Sequence, residues 1–338
     1  SSLGVEEGVL MYKQYLVTGA TSQLGNHIVR MLLDQNQRVR VLVGPEEDTS
    51  SLNGMRIEVC QGEIYNKDSL KDFFKLDEPR ESVLIHAEEL VSISDKKNLE
   101  MRRINFSGTC NIVDMCLTRK IKRLVYLSSA YALPNNQEFE SDTIYFDRKL
   151  VDGDYAQTKA EASAYVMEKV SLNKFNAVII LPTFIIGPGL SPNSTMGKVL
   201  KGYLENDVAP VKGGQSFVDV RDVAAMTLAL AEKGTAGSGY IINGEYKTSV
   251  DFLNEVSSVK GIEKSIKLVP NWILGKTFGK LADTYFKICH KDNPKDVYAL
   301  FLITPDVNYK SNVEEVIPEV KTTDLNESIK DTVMWLEG

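Results

Sequence analysis

Short apolar runs recur through the first half of the chain, spaced so that a helix fits between most of them. Tyr15-Leu16-Val17 opens the series, and Arg38–Val43, Ile57–Cys60, Val83–Ile85, Leu124–Leu127 and Ala177–Leu181 follow. The first reads as a buried strand and the others as further strands. Between them, Leu24–Leu33 puts Ile28, Val29, Leu32 and Leu33 on one helical side, and Ser69–Leu76 and Ile104–Leu117 also read as helical. A further helix begins near Tyr155. Strand alternating with helix predicts a parallel sheet covered on both faces.

After Pro182 the pattern changes. Gly187-Pro188-Gly189 and Ser191-Pro192-Asn193 are loop signals. Helices are predicted at Met196–Leu204, Val220–Glu232, Val250–Val259, Pro270–Phe286 and Glu327–Leu336, with a short strand at Tyr240–Ile242. The expected fold class is α/β: a doubly wound parallel sheet with a smaller, mostly helical C-terminal lobe. Residues 11–185 would form the sheet domain. Residues 186–338 would form a substrate lobe interleaved with it, and residues 1–10 would be an extension or tag remnant ahead of Met11.

Composition narrows the setting. A chain of 338 residues has room for one large domain and a small one. Its 43% hydrophobic and 25% charged content is ordinary for a soluble globular protein. A net charge of −7, from 39 basic and 46 acidic residues, argues against nucleic acid as the main partner. Cys60, Cys110, Cys116 and Cys289 form no C-x-x-C pair, so they read as buried thiols in a reducing compartment, the cytoplasm. His27, His86 and His290 have no ligand spacing, and no metal is expected. His86, at a strand end, reads as a core residue. No apolar run approaches the ~18 residues of a membrane span.

Three segments carry candidate chemistry. The first is Thr18-Gly19-Ala20-Thr21-Ser22-Gln23-Leu24-Gly25, between a strand and a helix. Phosphates held at a helix N-terminus need close backbone approach, which glycine permits. Ser22 stands where a middle glycine would complete the loop; its hydroxyl could bond a phosphate. A two-glycine loop is also an ordinary tight turn. The second and third segments are Ser128-Ser129-Ala130, after the fifth strand, and Tyr155-Ala156-Gln157-Thr158-Lys159. Tyr155 and Lys159 are four apart and share a helix face. A cation beside a phenol favours the phenolate, so Lys159 is expected to lower the Tyr155 pKa. Tyr155 would exchange a proton with a substrate oxygen that Ser129 also hydrogen-bonds.

These motifs, with Val17-Thr18-Gly19-Ala20-Thr21, Gly62-Glu63-Ile64, Val83-Leu84-Ile85-His86-Ala87 and Asn105-Phe106-Ser107-Gly108-Thr109-Cys110-Asn111, resemble the extended short-chain dehydrogenase/reductase family. Leu181-Pro182-Thr183-Phe184-Ile185-Ile186-Gly187-Pro188 and Phe217-Val218-Asp219-Val220-Arg221-Asp222-Val223 extend the resemblance nearly end to end. It implies a Rossmann-like sheet binding NADP or NAD, and catalysis by Ser129, Tyr155 and Lys159. The cofactor would meet Gly19, Thr21, Ser22, Gln23, Leu24 and Gly25 in the loop. Glu63 and Ile64 would lie near the adenine, Ala87 and Glu88 near the ribose–phosphate, Lys159 at the nicotinamide ribose, and Pro182 to Phe184, with Thr183, near the nicotinamide. Asn105 matches a family asparagine behind the site. Phe184, Tyr131 and the loop 187–193 would wall the substrate pocket.

Within the family the chain is most similar to the dihydroflavonol-4-reductase-like branch; a 3β-hydroxysteroid-dehydrogenase-like relation is also open. Nucleotide-sugar epimerases usually carry an R-x-F-N pattern where this chain has Leu181, Thr183 and Phe184. The resemblance implies an NAD(P)-dependent oxidoreductase acting on a small carbonyl or alcohol. A nucleotide-sugar epimerase or dehydratase, and a non-catalytic nucleotide sensor or regulator, are the alternatives. A homodimer through the helices 104–117 and 155–170 is the family's habit. Three departures stand out: Ser22, Gly44 at the end of strand two, and Glu88-Glu89 after the fourth strand. Glu46 and Glu47 could approach a ribose and would repel a 2′-phosphate. Carboxylates at 88 and 89 would weaken pyrophosphate binding unless they turn outward or meet a cation.

Overall fold

The apolar runs pair side by side, and their order in the sheet positions the site. This computed structural model describes residues 14–92, 98–134, 144–205, 208–270, 284–285, 287–289, 294–302, 309–319 and 321–338. Its strands are β1 (Gln14–Thr18), β2 (Val39–Val43), β3 (Glu58–Gln61), β4 (Ser82–His86), β5 (Arg123–Leu127), β6 (Ala177–Pro182), β7 (Phe184–Ile186), β8 (Gly214–Asp219), β9 (Gly239–Ile242) and β10 (Glu245–Thr248). Seven of them form one sheet in the order β3-β2-β1-β4-β5-β6-β9, with every pairing parallel. Strand order reverses between β1 and β4. In such sheets the crevice beyond the carboxyl ends at this switch point is where ligands bind.

Alternation along each strand builds two cores. Val17, Val41 and Ile85 face α1 (Gln23–Asp34), which contributes Ile28, Val29 and Leu32 to a common cluster. Leu16, Leu84 and Leu124 face the other way, into a cluster with Ile112, Cys116, Ala160 and Val166. Between β4 and β5 the chain runs through α2 (Leu99–Arg102), a π-helical turn (Arg103–Gly108) and α3 (Thr109–Arg119). α4 (Asp154–Asn173) starts at Gly153, whose φ of +88° is left-handed. That start puts Tyr155 in the first turn, beside the sheet edge.

Several elements differ from the sequence expectation. Ser69–Leu76 forms no α-helix: a 3₁₀ turn over Lys67–Leu70 is capped by the Asn66 side chain, and turns follow. The helix expected at 104 opens with the π-helical turn, because Asn105 is drawn away by long-range bonds and Gly108 lies against Ile64. A Cβ on Gly108 would sit 2.5 Å from Ile64 Cδ1. The C-terminal part also contains a three-stranded sheet, β10-β8-β7, which the apolar pattern did not reveal. All six residues of β8 are buried, but Gly214, Gln215, Ser216 and Asp219 are not apolar. Tyr240–Ile242 is β9 of the main sheet, so chain beyond residue 186 completes the sheet domain.

Around the smaller sheet lie α5 (Thr195–Leu204), α6 (Val220–Lys233), α7 (Ser249–Lys260) and α8 (Leu325–Glu337). Phe217, Phe252, Phe301 and Tyr298 form its aromatic core, with Phe217 and Phe252 stacked at 4.8 Å. The helix expected at 270–286 falls largely outside the described residues, as do residues 1–10 and His290. Cys116 is buried, but Cys60 and Cys110 are only partly buried and Cys289 is exposed, contrary to their reading as buried thiols. Among the described residues no helix is long and apolar enough to cross a membrane.

Candidate active site

β1 ends at Thr18, and the chain turns through Gly19 into α1. Gly19 has φ +69°, and a Cβ there would lie 2.5 Å from the Ala87 carbonyl oxygen. A Cβ on Gly25 would lie 2.0 Å from the Gly19 oxygen. The loop therefore packs backbone on backbone against the end of β4, the arrangement that explains its two glycines. Ser22 is the N-cap of α1. Its Oγ accepts from the Gly25 N–H at 3.1 Å and donates to the Gly19 carbonyl at 2.7 Å. The hydroxyl is thus taken up inside the turn rather than offered to a phosphate. Gln23 sends its amide to the Gly187 and Pro188 carbonyls, at 2.9 and 3.2 Å. That bond ties the loop after β7 to the start of α1.

The second departure resolves through Glu47. Gly44 has no side chain, and the following turn folds Glu47 back. Its carboxylate accepts from the Gly44 N–H at 2.6 Å and from the Thr21 hydroxyl. Glu46 stays exposed. Arg40 is turned away, pairing with Glu58 at 2.7 Å and donating to the Lys75 carbonyl. Farther along, Glu63 accepts from the Tyr65 hydroxyl, and Ile64 is buried against Gly108 with its carbonyl held by Asn111 at 3.0 Å.

His86 is fully buried, as expected of a core residue. Thr109 donates its hydroxyl proton to the Asn105 carbonyl at 2.7 Å, so it accepts from His86 Nε2–H at 2.9 Å. His86 Nδ1 then accepts from Thr18 at 2.7 Å, which leaves Thr18 Oγ1 to accept the Glu88 N–H at 3.3 Å. Burial, and next the Lys159 charge, holds the ring down at about 3, so it stays neutral. This network fixes the backbone where β4 leaves the sheet. Asn105 fixes the next stretch: its side chain binds both the N–H and the C=O of Leu90, at 2.8 and 2.9 Å, and reaches Thr158 on α4.

Between those two clamps stand Glu88 and Glu89, and they turn to different partners. The Glu88 carboxyl is partly buried beside the glycine loop. Burial, then the charges of Glu47 and Glu89, pushes it up to about 7. Glu89 meets Tyr155 and Lys159. Its Oε2 lies 2.9 Å from Lys159 Nζ and accepts the Tyr155 hydroxyl at 3.0 Å. Lys159 also donates to the Leu127 carbonyl at 2.7 Å, and its side chain is 1% exposed.

The structure thus brings Ser129, Tyr155 and Lys159 together at the carboxyl end of β5. Ser129 caps a short 3₁₀ turn, accepting from Tyr131 N–H at 3.2 Å, and its side chain lies near the Tyr155 phenol. Ser128 braces the strand end against α4 through Ser163 at 2.6 Å. The expected direction of the tyrosine's shift is overturned. Burial first, and the Glu89 carboxylate next, pushes the phenol well above its ordinary range, with the nearby Ser129 hydroxyl pulling the other way. Burial alone would lower the Lys159 ammonium, but Glu89 and Tyr126 together outweigh it and the net direction is up. Sequence spacing found the tyrosine and the lysine. It did not find that a carboxylate from the β4 loop would take both.

Other expected cofactor residues lie at the same edge. Ala87 is buried, with its N–H on the Thr18 carbonyl. Pro182 ends β6 beside Ile242, and Thr183 Oγ1 accepts the Gly244 N–H at 3.2 Å. Tyr131 is buried and packs edge-on against Tyr309, while Phe184 leans into the aromatic core against Phe217.

The sequence profile of the NAD dependent epimerase/dehydratase family matches residues 15–243, about two thirds of the chain. The chain belongs to this family. Relatives of this NAD-dependent family member differ in chemistry. Sterol demethylase protein B of Methylococcus capsulatus is 28% identical over 75% of this chain and 77% of its own length. A putative dihydroflavonol 4-reductase of Synechocystis is 29% identical over 80% and 79%. UDP-glucose 4-epimerase of Vibrio cholerae is 23% identical over 80% and 84%. The fold recurs in the crystal structure of gox2253, with a TM-score of 0.78 at 23% identity, covering 96% of this chain and 98% of that one. The NAD complex of Thermus thermophilus UDP-glucose 4-epimerase gives 0.72 at 18% identity, covering 96% and 99%.

NAD fits the residues present. Gly19 and Gly25 allow the tight turn that sets the N-terminus of α1 against the carboxyl ends of β1 and β4, where a pyrophosphate would be held. Glu47 presents acceptors suited to ribose hydroxyls at the end of β2. At the nicotinamide end Lys159 would hold the second ribose, once clear of Glu89.

Proposed function

We propose that this protein is an oxidoreductase that uses NAD(H) in preference to NADP(H) and interconverts a small carbonyl compound and its alcohol, with Tyr155 as general acid and base. The observation that carries this reading is the meeting of Ser129, Tyr155 and Lys159 at the end of β5, across the switch point from the glycine loop. Bound NAD(H) supplies or accepts the hydride. Tyr155 gives its proton to the substrate oxygen during reduction and takes one during oxidation. Ser129 donates to the same oxygen and orients it. The upward-shifted phenol is protonated at neutral pH, which favours the donor role and hence reduction.

Two features of the chain support the finer choices. Glu47 offers a carboxylate where a 2′-phosphate would be repelled. Leu181, Thr183 and Phe184 replace the R-x-F-N pattern of nucleotide-sugar epimerases, which favours the reductase side of the family. The test is Tyr155→Phe against a panel of aldehydes and ketones with NADH and NADPH. kcat should fall by about 10²–10⁴ with little change in nucleotide affinity. Unchanged turnover removes Tyr155 as the acid. Glu89's hold on both catalytic groups favours a second reading, a nucleotide sensor; calorimetric NAD binding with no turnover across the panel would support it.

A further inference from the structure

Lys159 is a buried ammonium, and among the described residues Glu89 is the carboxylate paired with it. The Leu127 carbonyl, its other partner, is uncharged. Tyr155 gives its hydroxyl proton to the same Glu89 oxygen. One carboxylate oxygen therefore occupies both groups that the proposed reaction needs free: the ammonium for a ribose, the hydroxyl for a substrate. The backbone around Glu89 is pinned by Thr18 on one side and Asn105 on the other. Its side chain is one-third exposed, so it has solvent to turn into.

We propose that Glu89 is a positioning residue that stands in for the nicotinamide ribose in the cofactor-free protein, holding Lys159 and Tyr155 until a dinucleotide displaces it. This rests on the reading that Lys159 serves a dinucleotide ribose. Two consequences follow physically. Loading must break a buried ion pair, which weakens nucleotide binding. And while Glu89 is in place it cancels the charge that would otherwise draw the phenol toward ionisation. Among the described residues, the groups around Tyr155 are Glu89 from the β4 loop, Tyr126 from β5 and Ser129 just beyond β5, with Lys159 of its own helix across the shared Glu89 oxygen. Of these only Glu89 and Lys159 carry charge at neutral pH, so removing Glu89 leaves the ammonium uncompensated.

The experiment compares the full chain with Glu89→Gln and Glu89→Ala, two variants of a part-exposed side chain. Calorimetry with NAD and NADH gives affinity. Tyrosinate absorbance, taken as a difference against Tyr155→Phe in each background, gives the ionisation midpoint of this one phenol. Both variants should bind about tenfold tighter or more. The phenol midpoint should fall by about one pH unit or more. Affinities within about twofold of the parent, or an unmoved phenol midpoint, overturn the proposal; a Tyr155→Phe variant that still loses turnover would then leave the functional reading standing. Absence of nucleotide binding by all three proteins overturns both.

Discussion

Replacing Glu88 by glutamine tests the carboxyl beside the glycine loop. In the folded protein it titrates at about 7 instead of 4.5, raised by burial and by the charges of Glu47 and Glu89, against a backbone hydrogen bond from Gly19. Between those values the folded state holds a proton that the unfolded chain has released. Stability therefore falls as pH rises, by about 1.4 kcal/mol for each pH unit. Over the interval from 4.5 to about 7 the loss sums to about 3 kcal/mol, and partial solvent screening reduces it to about 2 kcal/mol. The loss is absent below the interval and complete above it. His86 acts in the opposite sense, since up to its ordinary 6.5 the unfolded chain takes a proton that the folded ring, held down at about 3, does not; it is common to both proteins and cancels in the comparison. Glutamine has no proton to exchange, so the variant lacks this dependence. Urea unfolding of both proteins at about pH 5 and about pH 8 reads it out, and the advantage of Glu88→Gln should grow by about 2 kcal/mol across that span. An advantage that is the same at both ends refutes the buried-acid argument.

Glu47→Gln should relax discrimination against NADP by about tenfold, read as the ratio of NADP to NAD dissociation constants, because a like charge leaves the ribose end; an unchanged ratio places selectivity elsewhere. Asn105→Ala strips partners from both the N–H and the C=O of Leu90. It should cost about 1–3 kcal/mol in unfolding free energy and speed amide exchange at Leu90. Undiminished protection of that amide would show that the clamp is dispensable.

The most legible strands carry a core of apolar residues, although β3, read from Ile57–Cys60, lies mostly exposed at the sheet edge. β6 is buried throughout and reads as an unbroken apolar run, and β4 is apolar from Val83 to Ile85 between a buried Ser82 and a buried His86. β8 is equally buried but hides Gln215 and Ser216, with the Gln215 amide satisfied by the Leu300 carbonyl at 3.0 Å. That partner is 85 residues away and has no local signature. The π-helical turn was invisible for the same reason, since Asn105 and Gly108 answer to Leu90 and Ile64. In the site, Tyr155 and Lys159 were legible from helix spacing and Ser129 from its strand end. The direction of the phenol's shift was not, because it depends on where Glu89 arrives from 66 residues upstream. Glu88 and Glu89 were visible as unusual residues. Which would find the cation, and which the glycine loop, is decided by the adjacency of β1, β4 and β5 and by the two clamps that orient the chain leaving β4.

The Asn105 clamp on Leu90 also sets the tempo at which this cleft can open. With the backbone held on both sides of Glu89, freeing Lys159 takes rotation about the bonds of one side chain. Such rotations in exposed residues run on the picosecond-to-nanosecond scale, whereas hinged lids take microseconds or longer. Nucleotide arrival would then proceed in a single kinetic phase with no slow gate ahead of it. The strength of the ion pair would be felt instead in the size of the arrival rate, which scales with the fraction of molecules whose Lys159 is free.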